Sequence, residues 1–345
     1  DHTVDEEKAQ QLIDRAMEAG VTYYDTAWFY HDGESEPMMG RLLSRYPRES
    51  YCLATKMPCA IIDSLEQAKD IFAKQFERLQ TDYFDFYLLH SLSGRSWKKM
   101  LELGVVDFLE QCHREGKFRW FGFSFHDEYE AFEEILWARD WDFCQIQLNY
   151  MDQNIQAGLR GHDLALELGV PLVIMEPVKG GLLAQPPEEV LEPLRALDPD
   201  ATPSSWAMRW VGSLPGVKVV LSGMGSMEQL EDNLNTFSQM LTCDWSSDVC
   251  SSDLAQRVKN GCTGCRYCMP CPAGVDIPKS FRIWNRMAMY QNYPVTRRDW
   301  KGMEAEARPD QCYRGRCERL CPQHLPIRAQ LAQAHAEITA FTEKR

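Results

Sequence analysis

Short apolar runs recur along the first 240 residues, each separated from the next by a stretch with helical amphipathicity. The runs are Val21–Ala27, Tyr51–Lys56, Phe84–His90, Arg119–Phe125, Phe143–Asn149, Pro171–Pro177 and Val217–Gly223. Each is rich in β-branched or aromatic residues, and intervening segments such as Ser64–Leu79 and Trp97–Glu115 place apolar residues on one helical face. Strands that read as near-continuous apolar runs are buried on both faces, the mark of a parallel sheet covered by helices. Seven βα units in this span predict a (β/α)8 TIM barrel lacking its first strand, rather than an open doubly wound sheet. No G-x-G-x-x-G follows any of the seven runs, which counts further against a dinucleotide-binding doubly wound fold.

Composition narrows the function classes. The chain has 345 residues, 44% of them hydrophobic, enough for one large domain and one small one. A net charge of −14 argues against nucleic acid as the main partner. No apolar run approaches the ~18 residues of a membrane helix, so no membrane association is expected. The N-terminal DHTVDEEKAQQ has neither an initiator Met nor a signal-peptide profile, and the chain is expected to start inside a longer one. Cys52, Cys59, Cys112 and Cys144 are scattered and read as small buried residues of a reduced, cytoplasmic protein.

Four polar residues fall at or just after the C-terminal ends of the first three runs: Asp25, Tyr30, Lys56 and His90. In a βα barrel those ends face the loops that build active sites. The four have mutually useful chemistry. A tyrosine that protonates a carbonyl oxygen needs its acidity raised from an ordinary pKa of about 10. A lysine ammonium beside it favours the phenolate, a carboxylate beyond the lysine keeps that charge in place, and a histidine can hydrogen-bond the substrate oxygen. Hydride must come from elsewhere, which implies a nicotinamide cofactor and a small carbonyl or alcohol substrate.

In these motifs, D-T-A-x-x-Y, A-T-K and L-L-H, residues 5–240 resemble the aldo/keto reductase family. The resemblance implies an NADP- or NAD-dependent oxidoreductase with its cofactor extended over the barrel mouth. It implies Ser124 and Gln145 at the nicotinamide carboxamide, and Gly180, Gly181, Ser222, Gly223 and Met224 near the phosphates. Asp232 and Asn233 fall where the family contacts adenine. The chain departs from the family where Phe125 and then His126 follow Ser124 in place of an Asn. Met175 stands where an aromatic stacks on nicotinamide. Gln229 stands where many members carry an Arg for the 2′-phosphate, which leaves NADP against NAD open.

Near the C-terminus Cys262, Cys265, Cys268 and Cys271 recur every third residue in CTGCRYCMPCP, and Cys312, Cys317 and Cys321 follow, with Pro322 after the last. Thiolates this dense are metal ligands, and the trailing prolines favour an iron–sulfur cluster over a zinc ribbon or disulfides. The region resembles the ferredoxin-like 4Fe-4S extension carried by a subgroup of the same family, covering about residues 261–335. By ferredoxin crossover pairing Cys262, Cys265, Cys268 and Cys321 hold one cluster. Cys312 and Cys317 remain for a second, with Cys271 either joining them or completing a local site; Arg314 or Gly315 stands where a further thiolate would be, so the second cluster is three-ligated or absent. His324, three residues past Cys321, reads as a solvated or capping histidine, and the amphipathic helix 327–341 as packing the small domain against the barrel.

The expected domains are therefore the barrel at 1–240, a junction at 241–254, and a ferredoxin-like iron–sulfur domain at 255–345. Within the junction, Asp244–Leu254 (DWSSDVCSSDL) matches residue for residue one reading frame of a common sequencing-adapter oligonucleotide. It is read as an assembly artefact, which removes Cys250 from the ligand set and makes Cys243 doubtful. The function expected is carbonyl reduction with a fused electron-transfer module serving an external electron carrier. The competing readings are an electron-transfer protein that only binds nicotinamide, and clusters that are purely structural.

Overall fold

The computed structural model describes residues 4–240, 258–290, 293–312 and 315–343. The junction expected at 241–254, with Cys243 and Cys250, and Arg314 lie outside the described residues. Among the described residues are seven strands, β1 (Tyr23–Asp25), β2 (Cys52–Met57), β3 (Phe84–Leu92), β4 (Phe118–Phe125), β5 (Phe143–Gln147), β6 (Leu172–Met175) and β7 (Val217–Val220). They pair in parallel in sequence order, one sheet from β1 to β7. The helix Glu6–Glu18 precedes β1, with Asp5 capping its N-terminus through the Lys8 backbone N–H at 3.0 Å.

The sheet curls into a nearly closed barrel, and the register shows how its interior is filled. Alternate residues of a strand share a face. One interior layer is Ala54, Leu88, Phe143 and Val173, with Tyr23, Phe86, Val219 and Leu221 packed against it. Phe86 of β3 and Phe143 of β5 meet edge to face at 5.1 Å although β4 runs between them. Gly122 of β4 allows this, since a Cβ there would meet the Phe143 ring and carbonyl oxygen at 2.6 Å. Two residues further along each strand, on the same face, stand Asp25, Lys56, His90, Ser124, Gln145 and Met175. The apolar layers thus carry a polar layer at the C-terminal end of the strands.

The helices outside the strands follow ordinary signals. Ser64 caps Leu65–Leu79 by accepting from the Gln67 N–H, and Gln80 ends it in the left-handed region. Ser93 and Ser96 form a reciprocal capping box at the start of Gly94–Glu102.

Two compact units divide the chain. The first holds all seven strands, and the second contains Asn149–Ile155, Glu176–Trp210 and the cysteine-rich region. In the second unit the helices Ile277–Tyr290, Tyr293–Lys301 and Ile327–Glu343 surround a core that includes Phe281, Trp284, Trp300, Leu331 and Ile338. Trp284 donates to Glu337 at 2.8 Å. The buried face of the last helix, Ile327, Leu331, Ala334 and Ile338, belongs to this core. Met151, Leu182, Leu183 and Ala207 form a second small cluster, against which Val258 packs.

Candidate active site at the barrel mouth and the cysteine pocket

The sheet register brings Asp25, Lys56 and His90 to adjacent strand ends, and the short 3-10 segment Tyr30–Gly33 delivers the tyrosine. Lys56 is fully buried. Its ammonium donates to Asp25 Oδ1, to the Thr26 carbonyl at 2.9 Å and to the Tyr30 hydroxyl at 3.4 Å. It also lies 4.8 Å from the centre of the Tyr30 ring. The His90 ring stands edge-on to Tyr30 at 5.7 Å. All four residues expected from the sequence are therefore gathered in one place.

Electrostatics follow from burial. Desolvation lowers the affinity of Lys56 for its proton, and the Asp25 charge and hydrogen bond, with Glu36 behind, work the other way. Desolvation likewise raises Asp25, opposed by Lys56. Burial, then the Lys56 charge and His126, hold His90 well below the usual histidine range, so it is neutral at pH 7. His126 is buried too, and its pKa falls to about 4 for the same reason, partly offset by a hydrogen bond with Gln156. A neutral imidazole can donate one N–H to a carbonyl oxygen without competing with Lys56 for charge.

At the carboxamide positions, Ser124 is buried and its hydroxyl accepts the Ser91 N–H at 2.8 Å. Gln145 Nε2 contacts the Met175 sulfur at 3.6 Å, while Gln145 Oε1 is buried with no partner among the described residues. A buried carbonyl oxygen without a donor fits an amide NH2 as ligand. Asn233 donates to Ser222 at 2.9 Å, tying the turn after β7 to the helix Met227–Met240, in which Asp232 is half-buried. Gly223 is exposed and Met224 half-buried on that turn, and Gln229 accepts the Gly225 N–H at 2.7 Å.

Gly180 and Gly181, in the second unit, both have positive φ (61° and 86°). A Cβ on Gly180 would meet the Thr263 carbonyl oxygen at 2.6 Å, whereas one on Gly181 meets nothing within 4 Å. Gly180 is thus a close-approach point for the cysteine loop. Around it is a buried polar group that the sequence did not disclose. Lys179 pairs with Asp152, Asn149 donates to Asp152 and to the Glu176 carbonyl, both at 3.1 Å, and Glu176 is pushed up to about 8 by burial. Nothing in the residue pattern pairs these residues: Asn149 and Glu176 fall at the ends of two of the apolar runs, while Asp152 and Lys179 follow in connections that read as solvated.

One pocket of the second unit is lined by Cys262, Cys265, Cys268 and Cys321 together with Thr263, Phe281 and Ile327. These are the four thiols that crossover pairing assigns to one cluster. Burial pushes the Cys262 thiol up to about 11 and Cys268 to about 12. Backbone N–H groups lean the other way: Gly264 at Cys262, Tyr267 at Cys265, and Leu325, Gln323 and His324 at Cys321. Cys271 and Cys312 neighbour Cys317. Among the described residues no group of three or more His, Cys, Asp or Glu is drawn together tightly enough for a single metal ion. The four thiols lining this pocket are a soft donor set, of the kind that zinc and iron–sulfur centres both take. His324 is exposed, with its backbone N–H on the Cys321 carbonyl at 3.1 Å.

A parallel βα barrel with Asp, Tyr, Lys and His joined at its C-terminal end defines an oxidoreductase that works with a nicotinamide cofactor. The chain belongs to the aldo/keto reductase family, whose sequence profile matches residues 1–247. It is similar to the uncharacterised oxidoreductase YqkF of Bacillus subtilis, 25% identical over 66% of this chain and 81% of that protein. It is also similar to the NADH-specific methylglyoxal reductase of Escherichia coli, 27% identical over 50% of this chain and 58% of that protein. Among solved structures, the holo form of aldo-keto reductase AKR11C1 from Bacillus halodurans superposes with a TM-score of 0.59 at 26% identity, covering 71% of this chain and 85% of that one.

Proposed function

We propose that this chain reduces a small carbonyl compound, or oxidises the matching alcohol, with Tyr30 as the proton donor and acceptor. The observation that carries the reading is Lys56, buried between Asp25 and the Tyr30 hydroxyl. The ammonium stabilises the phenolate left when Tyr30 gives its proton to the substrate oxygen, and Asp25 keeps the ammonium charged in a dry site. His90, neutral, orients the same oxygen through an N–H. A bound nicotinamide supplies or takes the hydride. Ser124 and Gln145 would hold its carboxamide, and Ser222, Gly223, Met224, Asp232 and Asn233 the rest of the molecule. Gly180 serves that loop by letting Thr263 approach. NADP and NAD are both compatible with the neutral Gln229, and the cytoplasm is the compartment that suits a reduced thiol-rich protein.

The cysteine-rich region is assigned a 4Fe-4S cluster on Cys262, Cys265, Cys268 and Cys321, exchanging electrons with an external carrier. Cys271, Cys312 and Cys317 form a three-thiolate set for a second. A structural cluster is the second reading, favoured by the packing of Cys262, Cys268, Cys271 and Cys312 against the helical core. Anaerobically purified protein is expected to contain about four iron and four sulfide per chain in the first site, with the visible absorption of a cluster. Cys321→Ser should abolish that portion. Stoichiometric zinc without sulfide overturns the assignment, and iron that NADPH cannot reduce even with a mediating dye favours the structural reading.

A further inference from the structure

The segment carrying Tyr30 is held from behind by a buried carboxylate outside the set of four. Glu36, at the start of the helix Ser35–Leu43, is fully buried. Its Oε1 accepts from the Thr55 hydroxyl at 2.6 Å and from Gln75 Nε2 at 2.7 Å, and its Oε2 accepts from Arg78 Nε at 2.8 Å. Thr55 is the residue before Lys56, and Gln75 also donates to the Lys56 carbonyl at 3.0 Å. The Tyr87 hydroxyl fixes Gln75 in turn at 2.6 Å. Arg78 extends the hold, donating to the Gly33 carbonyl and lying 4.4 Å over the Trp28 ring. One arginine on the helix Leu65–Leu79 thus grips the Tyr30 segment at Trp28, Gly33 and Glu36, on both sides of the tyrosine.

The segment needs such a hold. His31 and Asp32, immediately after Tyr30, have φ of 53° and 55°, a left-handed backbone that non-glycine residues keep only when the surroundings impose it. The two helices also approach closely, since a Cβ on Gly40 would collide with the Arg78 carbonyl oxygen. Thr26 adds a smaller tie through its hydroxyl to Ser35 at 2.8 Å.

We propose that Glu36, acting through Arg78 and Gln75, is the positioning residue that keeps the Tyr30 hydroxyl beside the Lys56 ammonium. It touches no reacting atom. Its effect passes along β2 to Lys56 and through Arg78 to the loop. The inference rests on Tyr30 being the proton donor.

The test reads Tyr30 directly. The ultraviolet ionisation of the Tyr30 phenol is followed at 295 nm as the difference between each protein and its own Tyr30→Phe partner. In Glu36→Gln the amide keeps the size of the side chain but removes the charge paired with Arg78. Its Tyr30 is expected to ionise at a pH at least one unit higher than in the unsubstituted protein, a tenfold weaker acid. Arg78→Gln should give the same shift, and the double variant no more than either single one. Arg78 is partly exposed, so this variant carries the test if Glu36→Gln does not fold. Tyr30 ionising at an unchanged pH in a folded variant, with only the urea midpoint lowered, reduces Glu36 to a packing role and overturns the proposal. If instead Tyr30→Phe itself retains full turnover, the proton-donor reading fails, whatever the titrations show.

Discussion

The barrel mouth and the cysteine pocket reach order by opposite routes. At the mouth, Asp25, Lys56 and His90 come from three strands, and sheet register alone fixes their separation. Each charge there has a protein partner: Lys56 faces Asp25, and Glu36 faces Arg78. In the pocket, three thiols come from one loop and the fourth from another, and what points at sulfur is mostly backbone N–H from the next few residues. A site built by register tolerates no change in one member without stranding another. A site built by local loops places each donor almost independently, and its members are coupled through whatever they bind together.

That contrast can be broken first at Tyr30. Tyr30→Phe should lower NADPH-dependent reduction of 4-nitrobenzaldehyde by ~10²–10⁴-fold, the span of general acid catalysis, while NADPH affinity measured by fluorescence changes little. Next is Lys56→Met, which leaves a buried carboxylate without its cation. Losing one member of a buried pair costs about 3–5 kcal/mol, so a large drop in urea stability should accompany the loss of turnover. An unchanged urea midpoint would mean that the mouth is less interdependent than its geometry implies. The smallest expected effect concerns pH. His126 is near 4 when folded against about 6.5 unfolded, so the unfolded chain binds more protons between those values. Its contribution is therefore full above about pH 6.5 and is lost as the pH falls through about 4, by at most about 3.4 kcal/mol. His90 acts in the same direction. Comparing urea midpoints of the unsubstituted protein and His126→Asn at pH 7 and pH 4.5 checks it: the substitution should flatten the fall.

How legible these regions are in the residue string follows from the same contrast. All seven strands are apparent as apolar runs because helices cover the sheet, and polar interruptions within them are few, such as Asp85, Arg119 and Lys218. That is why Asp25, Lys56 and His90 stand out at their ends. The cysteines are apparent by spacing. Glu36, Gln75 and Arg78 are not, since each sits in an amphipathic helix where a polar or charged residue ordinarily faces water, and only the packing of two helices on β2 buries Glu36 and Gln75 and sets Arg78 beside them. The Lys179–Asp152 pair and Glu176 are hidden for a related reason. Lys179 and Asp152 lie on connections that composition marks as solvated, Glu176 at the end of an apolar run, and the cysteine loop beside them is distant in sequence.

The approach of Thr263 to Gly180 has a practical meaning for anyone wishing to separate the two chemistries. The connection Glu176–Trp210 leaves the sheet after β6 and returns to it at β7, yet its packing partners include Val258 and the first cysteine loop. A protein ended at residue 240 would retain every strand but lose the cover over Leu182, Leu183 and the buried Lys179. The cysteine region is thus not a detachable cargo. A working excision would have to rewrite that connection as well, with new polar residues at 182 and 183, while residue 180, at a φ of 61°, would still favour glycine.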